Sequence, residues 1–211
     1  MRFSRLDEVA QVNPKPPASL LKAEQTVAFL GMADVSESGA AGRGTPRPLS
    51  DVRKGYRYFE RGDILLAKIT PCMQNGKAAH VADLSHPVGF GSTEFHVIRP
   101  GAELHPRYAF YQVWNPRFRF VAERNMTGTA GQRRVPTDFL KRYQIPVPPL
   151  KEQERIASIL DRADAVRRKR REAIGLTEEL LRSTFLDMFG DPVTNPKGWT
   201  IAPMGEVVSE T

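Results

Sequence analysis

Apolar residues in the first two thirds of this chain come in short runs; in the last third they come at helical spacing. Thr26 to Leu30 is a short apolar run closed by Gly31, which predicts a strand. Gly62-Asp63 predicts a turn feeding a buried strand through Ile64-Leu65-Leu66-Ala67-Lys68-Ile69. Asn75-Gly76 predicts a hairpin tip, with Lys77 to Val81 as the return strand. Ser92 to Ile98 reads as another strand, ended by Pro100-Gly101. The stretch from Ser36 to Pro48, rich in Gly, Ser and Pro, reads as a long surface loop. Pro106 to Trp114 and Pro116 to Arg124 predict short helices with Pro in the first turn. Pro136-Thr137-Asp138 opens a third, and Tyr143-Gln144-Ile145 leads out of it.

A proline hinge, Ile145-Pro146-Val147-Pro148-Pro149-Leu150, then separates two kinds of sequence. Pro148-Pro149 cannot lie inside a helix, and Glu152 and Glu154 follow where a helix dipole favours acids. The pattern predicts one helix from Glu152 to Phe189, capped by Gly190 and stopped by Asp191-Pro192. At about 1.5 Å per residue it spans roughly 57 Å. Ile156, Ile159, Ala163, Val166, Ala173, Thr177, Leu180 and Thr184 recur at coiled-coil spacing. A second stripe of Ile174, Leu181 and Met188 joins them. Arg167-Arg168-Lys169-Arg170-Arg171 interrupts the seam, but five consecutive helical residues point in all directions and form no single patch. Solvation and pairing with Asp164 and Glu172 are their expected roles. So long a helix cannot bury its seam alone and needs a second helix, from this chain or another.

The fold class is α+β: a mixed α/β globular domain over residues 1–148, then a long coiled-coil-forming helix over 149–190. Residues 191–211 read as a linker and the start of a second, truncated domain. Thr200 to Val207 parallels Arg2 to Val9, with Glu206-Val207 repeating Glu8-Val9.

Charge follows the same division. Residues 1–150 carry 21 Lys and Arg against 13 Asp and Glu, a net of +8; residues 151–211 carry 10 against 11, a net of −1. Excess cations confined to one domain suit a polyanion, because Lys and Arg displace counterions condensed on phosphates. With a sequence pI near 9.7, nucleic acid is the leading partner class. A membrane surface fits less well, since no basic amphipathic helix with a broad apolar face is present. No run approaches the roughly 20 apolar residues of a membrane span. The first residues have no signal-peptide pattern, and the lone Cys72 has no internal disulfide partner, so a reducing cytoplasm is expected.

Several segments together resemble the specificity subunits of type I restriction–modification systems. They are Gly62-Asp63-Ile64-Leu65, Ser92-Thr93-Glu94-Phe95, Gly128-Thr129-Ala130-Gly131-Gln132-Arg133-Arg134-Val135, the hinge through Lys151-Glu152-Gln153-Glu154-Arg155-Ile156, and Met188-Phe189-Gly190-Asp191-Pro192. The hinge with its helix is the most specific of them. That resemblance implies a non-catalytic reader of double-stranded DNA, with residues 1–148 as a target recognition domain. It implies adenine methyltransferase subunits that use S-adenosylmethionine, and a translocating restriction subunit, as partners; no cofactor is expected on this chain. The family pairs two such domains and two antiparallel helices. One domain, one helix and a stub imply either a fragment or a half-subunit that forms a homodimer through its helix.

Two loops carry the residue types DNA reading needs. In Lys68 to Lys77, Lys68, Thr70 and Lys77 suit phosphates, and Gln74 and Asn75 suit an adenine edge. The same residues would equally serve an ordinary hairpin tip. In Thr127 to Arg134, Gly allows close backbone approach, Thr127 and Thr129 offer hydroxyls, and Gln132, Arg133 and Arg134 are base-reading donors. A flexible basic loop is the plainer reading. Arg43 and Arg47 are weaker candidates in the Ser36–Pro48 loop. Tyr56, Tyr58, Phe59, Tyr108, Tyr111 and Trp114 read as core or packing residues.

Catalysis finds little support. Asn115-Pro116-Arg117-Phe118 is superficially like a methyltransferase Asn-Pro-Pro-Phe site, but its third residue is Arg and it reads better as a helix-opening turn. His80, His86, His96 and His105 lack metal spacing, and Cys72 has no Cys partner for zinc. Two other classes remain open: an assembly protein whose basic domain meets acidic surfaces, and the recognition end of a combined nuclease–methyltransferase.

Overall fold

Strands of three to six residues build three sheets in a computed structural model that describes residues 2–22, 24–129 and 131–207. Ala130 of the basic loop and residues 208–211, in the segment expected to open a second domain, lie outside the described residues. In chain order the elements begin with β1 (Phe3–Arg5), α1 (Leu6–Val9), β2 (Ala10–Val12), α2 (Ala18–Lys22) and β3 (Thr26–Leu30). Then come β4 (Thr45–Pro48), α3 (Leu49–Val52), β5 (Arg57–Glu60), β6 (Ile64–Ala67), β7 (Ala78–His80), β8 (Val88–Gly91) and β9 (Phe95–Pro100). The series closes with α4 (Pro106–Trp114), α5 (Pro116–Arg124), α6 (Thr137–Arg142), β10 (Gln144–Pro146), α7 (Leu150–Phe189) and α8 (Met204–Val207). This is the α+β architecture with a long C-terminal helix that the sequence predicts.

Two compact units are present, residues 1–160 and 161–211. In the first, one four-stranded sheet runs β2-β9-β6-β7 and another runs β4-β3-β8-β5; β1 pairs with β10. The unbroken apolar run Ile64-Leu65-Leu66-Ala67 is explained by burial on both faces. Ile64 and Leu66 join the core under α1, α4, α5 and α6, while Leu65 joins Phe59, Phe95 and Val97 between the two sheets. A third core, with Val27, Tyr58 and Phe90, lies under α3. Phe59 fits because β8 is Gly-rich: a Cβ on Gly89 would lie 2.4 Å from its ring.

Three sequence expectations shift. The Asn75-Gly76 pair does not form a two-residue turn. β6 and β7 pair as expected, with Leu66 opposite Ala78, but the whole Lys68–Lys77 segment connects them through a helical turn around buried Met73. Ser92–Glu94 turns between β8 and β9 and is not strand; the strand continues instead through Pro100, opposite Ala10. The end of the Ser36–Pro48 loop is strand β4, paired with β3 at the sheet margin, where Pro46 and Pro48 break no inner ladder. Tyr56 is 42% exposed but packs edge-on against the Phe29 ring at 5.0 Å, while Tyr58, Phe59, Tyr108 and Tyr111 are buried and Trp114 packs against the main core.

Helix α7 starts at Leu150, two residues before the expected Glu152, because Pro149 O accepts from the backbone N–H of Glu152 and Gln153. Gln153 is fully buried. Its Oε1 accepts from His105 N at 2.9 Å, and its Nε2 donates to Glu103 O and Pro148 O at 2.9 and 2.8 Å. With Ala157 and Ile156 against the core, it fastens the first turns of α7 within the 1–160 unit.

Candidate nucleic-acid interface

The two basic loops, far apart in sequence, are joined by backbone hydrogen bonds. Thr70 N donates to Arg133 O at 3.0 Å, and Val135 N donates to Lys68 O at 2.9 Å. Thr70 Oγ1 adds a bond to Gly131 O at 3.0 Å. Arg134 bridges to Ile69 on one side and Thr127 on the other. Gly128 and Gly131 both take positive φ, 117° and 82°, which lets the second loop close in so few residues. Lys68, Thr70, Thr127, Arg133 and Arg134 therefore share one ladder, and Gln132 sits in the turn beside it, its N–H donating to Thr129 O at 3.1 Å.

Most of the candidate side chains have partners within the protein. Gln74 donates to Glu123 at 2.7 Å and Asn75 to Glu37 at 2.9 Å. Lys77 Nζ donates to Met32 O at 3.2 Å. Arg133 donates to Glu123 O and Met126 O, so it pins the start of its own loop. Arg134 is bidentate on Glu94, with Nε and Nη2 at 3.0–3.2 Å, and its Nη1 reaches Gln132 O at 3.0 Å. Thr127, Thr129 and Gln132 are exposed. Arg43 and Arg47 sit elsewhere: Arg43 pairs with Asp83 at 2.8 Å, and Arg47 lies 4.7 Å over the Phe29 ring.

Sequence reading missed the groups that hold this ladder in place. Glu94 lies in the β8–β9 turn, and its backbone carbonyl accepts from Lys68 N at 2.9 Å. Its carboxyl is held below the ordinary value, chiefly by the Arg134 hydrogen bonds, with Lys68 and Arg57 adding to the effect. Burial, then the charges of Arg57 and Arg134, pulls the Lys68 ammonium below its ordinary value. The signal in the sequence was the Ser92-Thr93-Glu94-Phe95 segment, but only folding brings Arg57, Lys68 and Arg134 around its carboxylate.

His96 is the second missed residue. It is 1% exposed; Nε2 donates to Val135 O at 2.8 Å and Nδ1 accepts from Asn13 Nδ2 at 3.2 Å. Asn13, at φ 56°, is itself held by Val97, whose backbone N–H donates to its Oδ1 at 3.0 Å. Burial pushes the imidazole down to about 4. The unfolded chain therefore binds a proton near pH 6.5 that the folded one refuses until about pH 4. His96 should thus cost the protein stability as pH falls from 6.5 towards 4, by up to about 3 kcal/mol. A His96→Gln variant, which keeps a donor but cannot titrate, is expected to show a flatter loss over that window in denaturant unfolding. An equal slope would remove His96 as the cause.

Along α7, Ile156 packs against the core of the 1–160 unit, so it is not on the open seam where the sequence placed it. Ile159, Val166, Leu180, Leu181 and Met188 are 47–66% exposed, and Ala163, Ala173 and Thr177 are exposed with them. Ile174, Leu176 and Phe185 add further exposed apolar surface. In the arginine run, Arg167 and Arg168 both pair with Asp164, at 2.5 and 3.3 Å. Asn115 caps α5, accepting from Phe118 N at 2.8 Å, which makes the Asn-Pro-Arg-Phe segment a helix-opening turn. No helix among the described residues is long and apolar enough to cross a membrane.

A mixed α+β domain bearing a loop ladder and followed by a long helix is the architecture of a known family. The chain belongs to the type I restriction modification DNA specificity domain family, whose model matches residues 1–176. It is 40% identical over 156 residues to the specificity subunit of type I restriction enzyme EcoAI from Escherichia coli, covering 73% of this chain and 26% of that protein. The EcoEI specificity subunit, also from Escherichia coli, is 42% identical over 154 residues, covering 72% of this chain and 25% of that protein. Among solved structures, the HsdS subunit from Thermoanaerobacter tengcongensis has the same fold, with a TM-score of 0.61 and 23% identity, covering 96% of this chain and 51% of that one. A chain of a type I R-M system complex matches at a TM-score of 0.59 and 22% identity, covering 87% and 43%. The chain thus spans about a quarter of the length of the curated relatives and about half that of the solved ones.

Proposed function

We propose that this chain reads one half of a bipartite double-stranded DNA target for a type I restriction–modification complex. The observation that supports the reading is the ladder that joins the Lys68–Lys77 and Thr127–Arg134 loops. Family membership and the net +8 of residues 1–150 support it. Methyl transfer and cleavage belong to partner subunits in this reading, with S-adenosylmethionine held by the methyltransferase. The exposed apolar residues of α7 meet a second helix, in a homodimer or in a longer subunit. The α7 rod, about 60 Å at ~1.5 Å per residue, sets the spacer between the two half-sites.

The full chain, incubated with a randomised duplex library, is expected to retain a short sequence motif. Its affinity should fall steeply with salt, as phosphate neutralisation demands. Retention without sequence preference, or none at low salt, would overturn the proposal and leave the assembly-protein reading.

A further inference from the structure

We propose that Arg134 is the base-reading side chain of this surface, taking a guanine edge in the major groove, and that Glu94 is the positioning residue that aims it. This inference rests on the DNA-reading proposal above.

A guanidinium carries five N–H groups. Glu94 takes one on Nε and one on Nη2, and Gln132 O takes one on Nη1. One N–H remains on each terminal nitrogen, the pair of atoms that bidentate recognition of guanine O6 and N7 uses. The Arg134 side chain is 40% exposed, so these donors can be reached. Its backbone is fixed on both sides, with N donating to Thr127 O at 2.8 Å and O accepting from Thr127 N at 3.0 Å. A long side chain held at both ends loses little rotamer freedom on contact, which is what a precise reader requires.

The carboxylate decides between base and phosphate. Phosphate affinity comes from net positive charge. An arginine paired at 3.0 Å with a carboxylate has little net charge to offer. A base edge is neutral and responds to the direction of donors, which the pair preserves. Arg133 does not compete for the role, because both hydrogens of its Nη2 go to Glu123 O and Met126 O, so it cannot present the Nη1–Nη2 pair. Lys68 and Arg57, which feel the Glu94 charge without forming a salt bridge to it, are the cations suited to flanking phosphates.

The test uses the full chain and a randomised duplex library. The wild-type motif is expected to contain a guanine whose replacement by 7-deazaguanine weakens binding roughly tenfold. Arg134→Ala and Arg134→Lys should lose preference at that position alone and become insensitive to 7-deazaguanine. Glu94→Gln should move two readouts in opposite directions. Guanine preference should drop roughly tenfold, while affinity for random duplex rises because a repelling carboxylate is gone. A merely structural Glu94 would lower both. The inference is overturned if the motif lacks guanine, if Arg134→Ala keeps the guanine preference, or if that variant weakens all sequences equally, as a phosphate contact would. Each of those results leaves the DNA-reading proposal standing. A wild-type chain that selects no motif removes both. The 7-deazaguanine arm needs no variant to fold.

Discussion

Replacing Gln153 with leucine should destabilise the 1–160 unit by about 3 kcal/mol, with a fall in Tm of roughly 10 °C. Leucine keeps much of the volume but none of the polar atoms. It leaves His105 N–H, Glu103 O and Pro148 O without the amide that satisfies them. Each unsatisfied buried group costs on the order of 1–3 kcal/mol. Thermal unfolding followed by circular dichroism measures the change, and a loss below about 1 kcal/mol would show that water replaces the amide. The same side chain fastens α7 to the hinge, so the effect reaches function. In amide hydrogen exchange, the first turns of α7 should lose protection in the variant before the strands do.

Arg99→Met should cost a similar amount, about 3 kcal/mol at pH 7, because it strands a buried carboxylate. Asp63 is 2% exposed and accepts from Arg99 Nε and Nη2 at 2.9 and 2.8 Å. Glu60 N donates to the same carboxylate at 2.8 Å, and Arg99 also pairs with Glu60 at 2.9 Å. Burial already raises the Asp63 carboxyl above its usual value of 3.8 despite the guanidinium. Without Arg99 it should rise further. The folded variant would then hold a proton over a pH range where the unfolded chain has released it. That contribution is present at low pH and lost as pH rises through the folded value. The deficit relative to wild type is therefore expected to shrink from pH 7 to pH 5 in denaturant unfolding. A constant deficit would mean that lost packing over the Tyr58 ring, 5.4 Å from the guanidinium, dominates. The cluster ties the β5–β6 turn to the far end of β9, the strand that carries His96 and follows the turn holding Glu94.

Elements set by local chemistry were legible. Helices α4 and α5 begin at proline after a capping residue, and the structure gives them the limits the sequence predicts. Strand β3 also matches, because Thr26 to Leu30 is bounded by a glycine. The misses share a cause. Whether Ser92–Glu94 is strand or turn depends on its neighbours, as does the pairing of a Pro-Arg-Pro segment with β3. Whether Asn75-Gly76 makes a tight turn depends on Met73 finding a core to enter. The site divided in the same way. Its basic loops were visible as residue types, but Arg133 and Arg134, adjacent and chemically equal in sequence, have different partners in the fold: backbone carbonyls for the first, the Glu94 carboxylate for the second. Glu94 stood out only as part of a family-like segment, and His96 carried no signal of its own.

By itself the sequence determined the boundary between a cationic head and a balanced helix, since charge and apolar period are properties of the chain read in order. It also determined where α7 ends, because Gly190 and Asp191-Pro192 stop a helix whatever surrounds it. Only the tertiary structure decided which cations face outward with donors to spare. A side chain's hydrogen-bond partners come from strands and loops far away along the chain, and their distances exist only once the backbone ladders have formed.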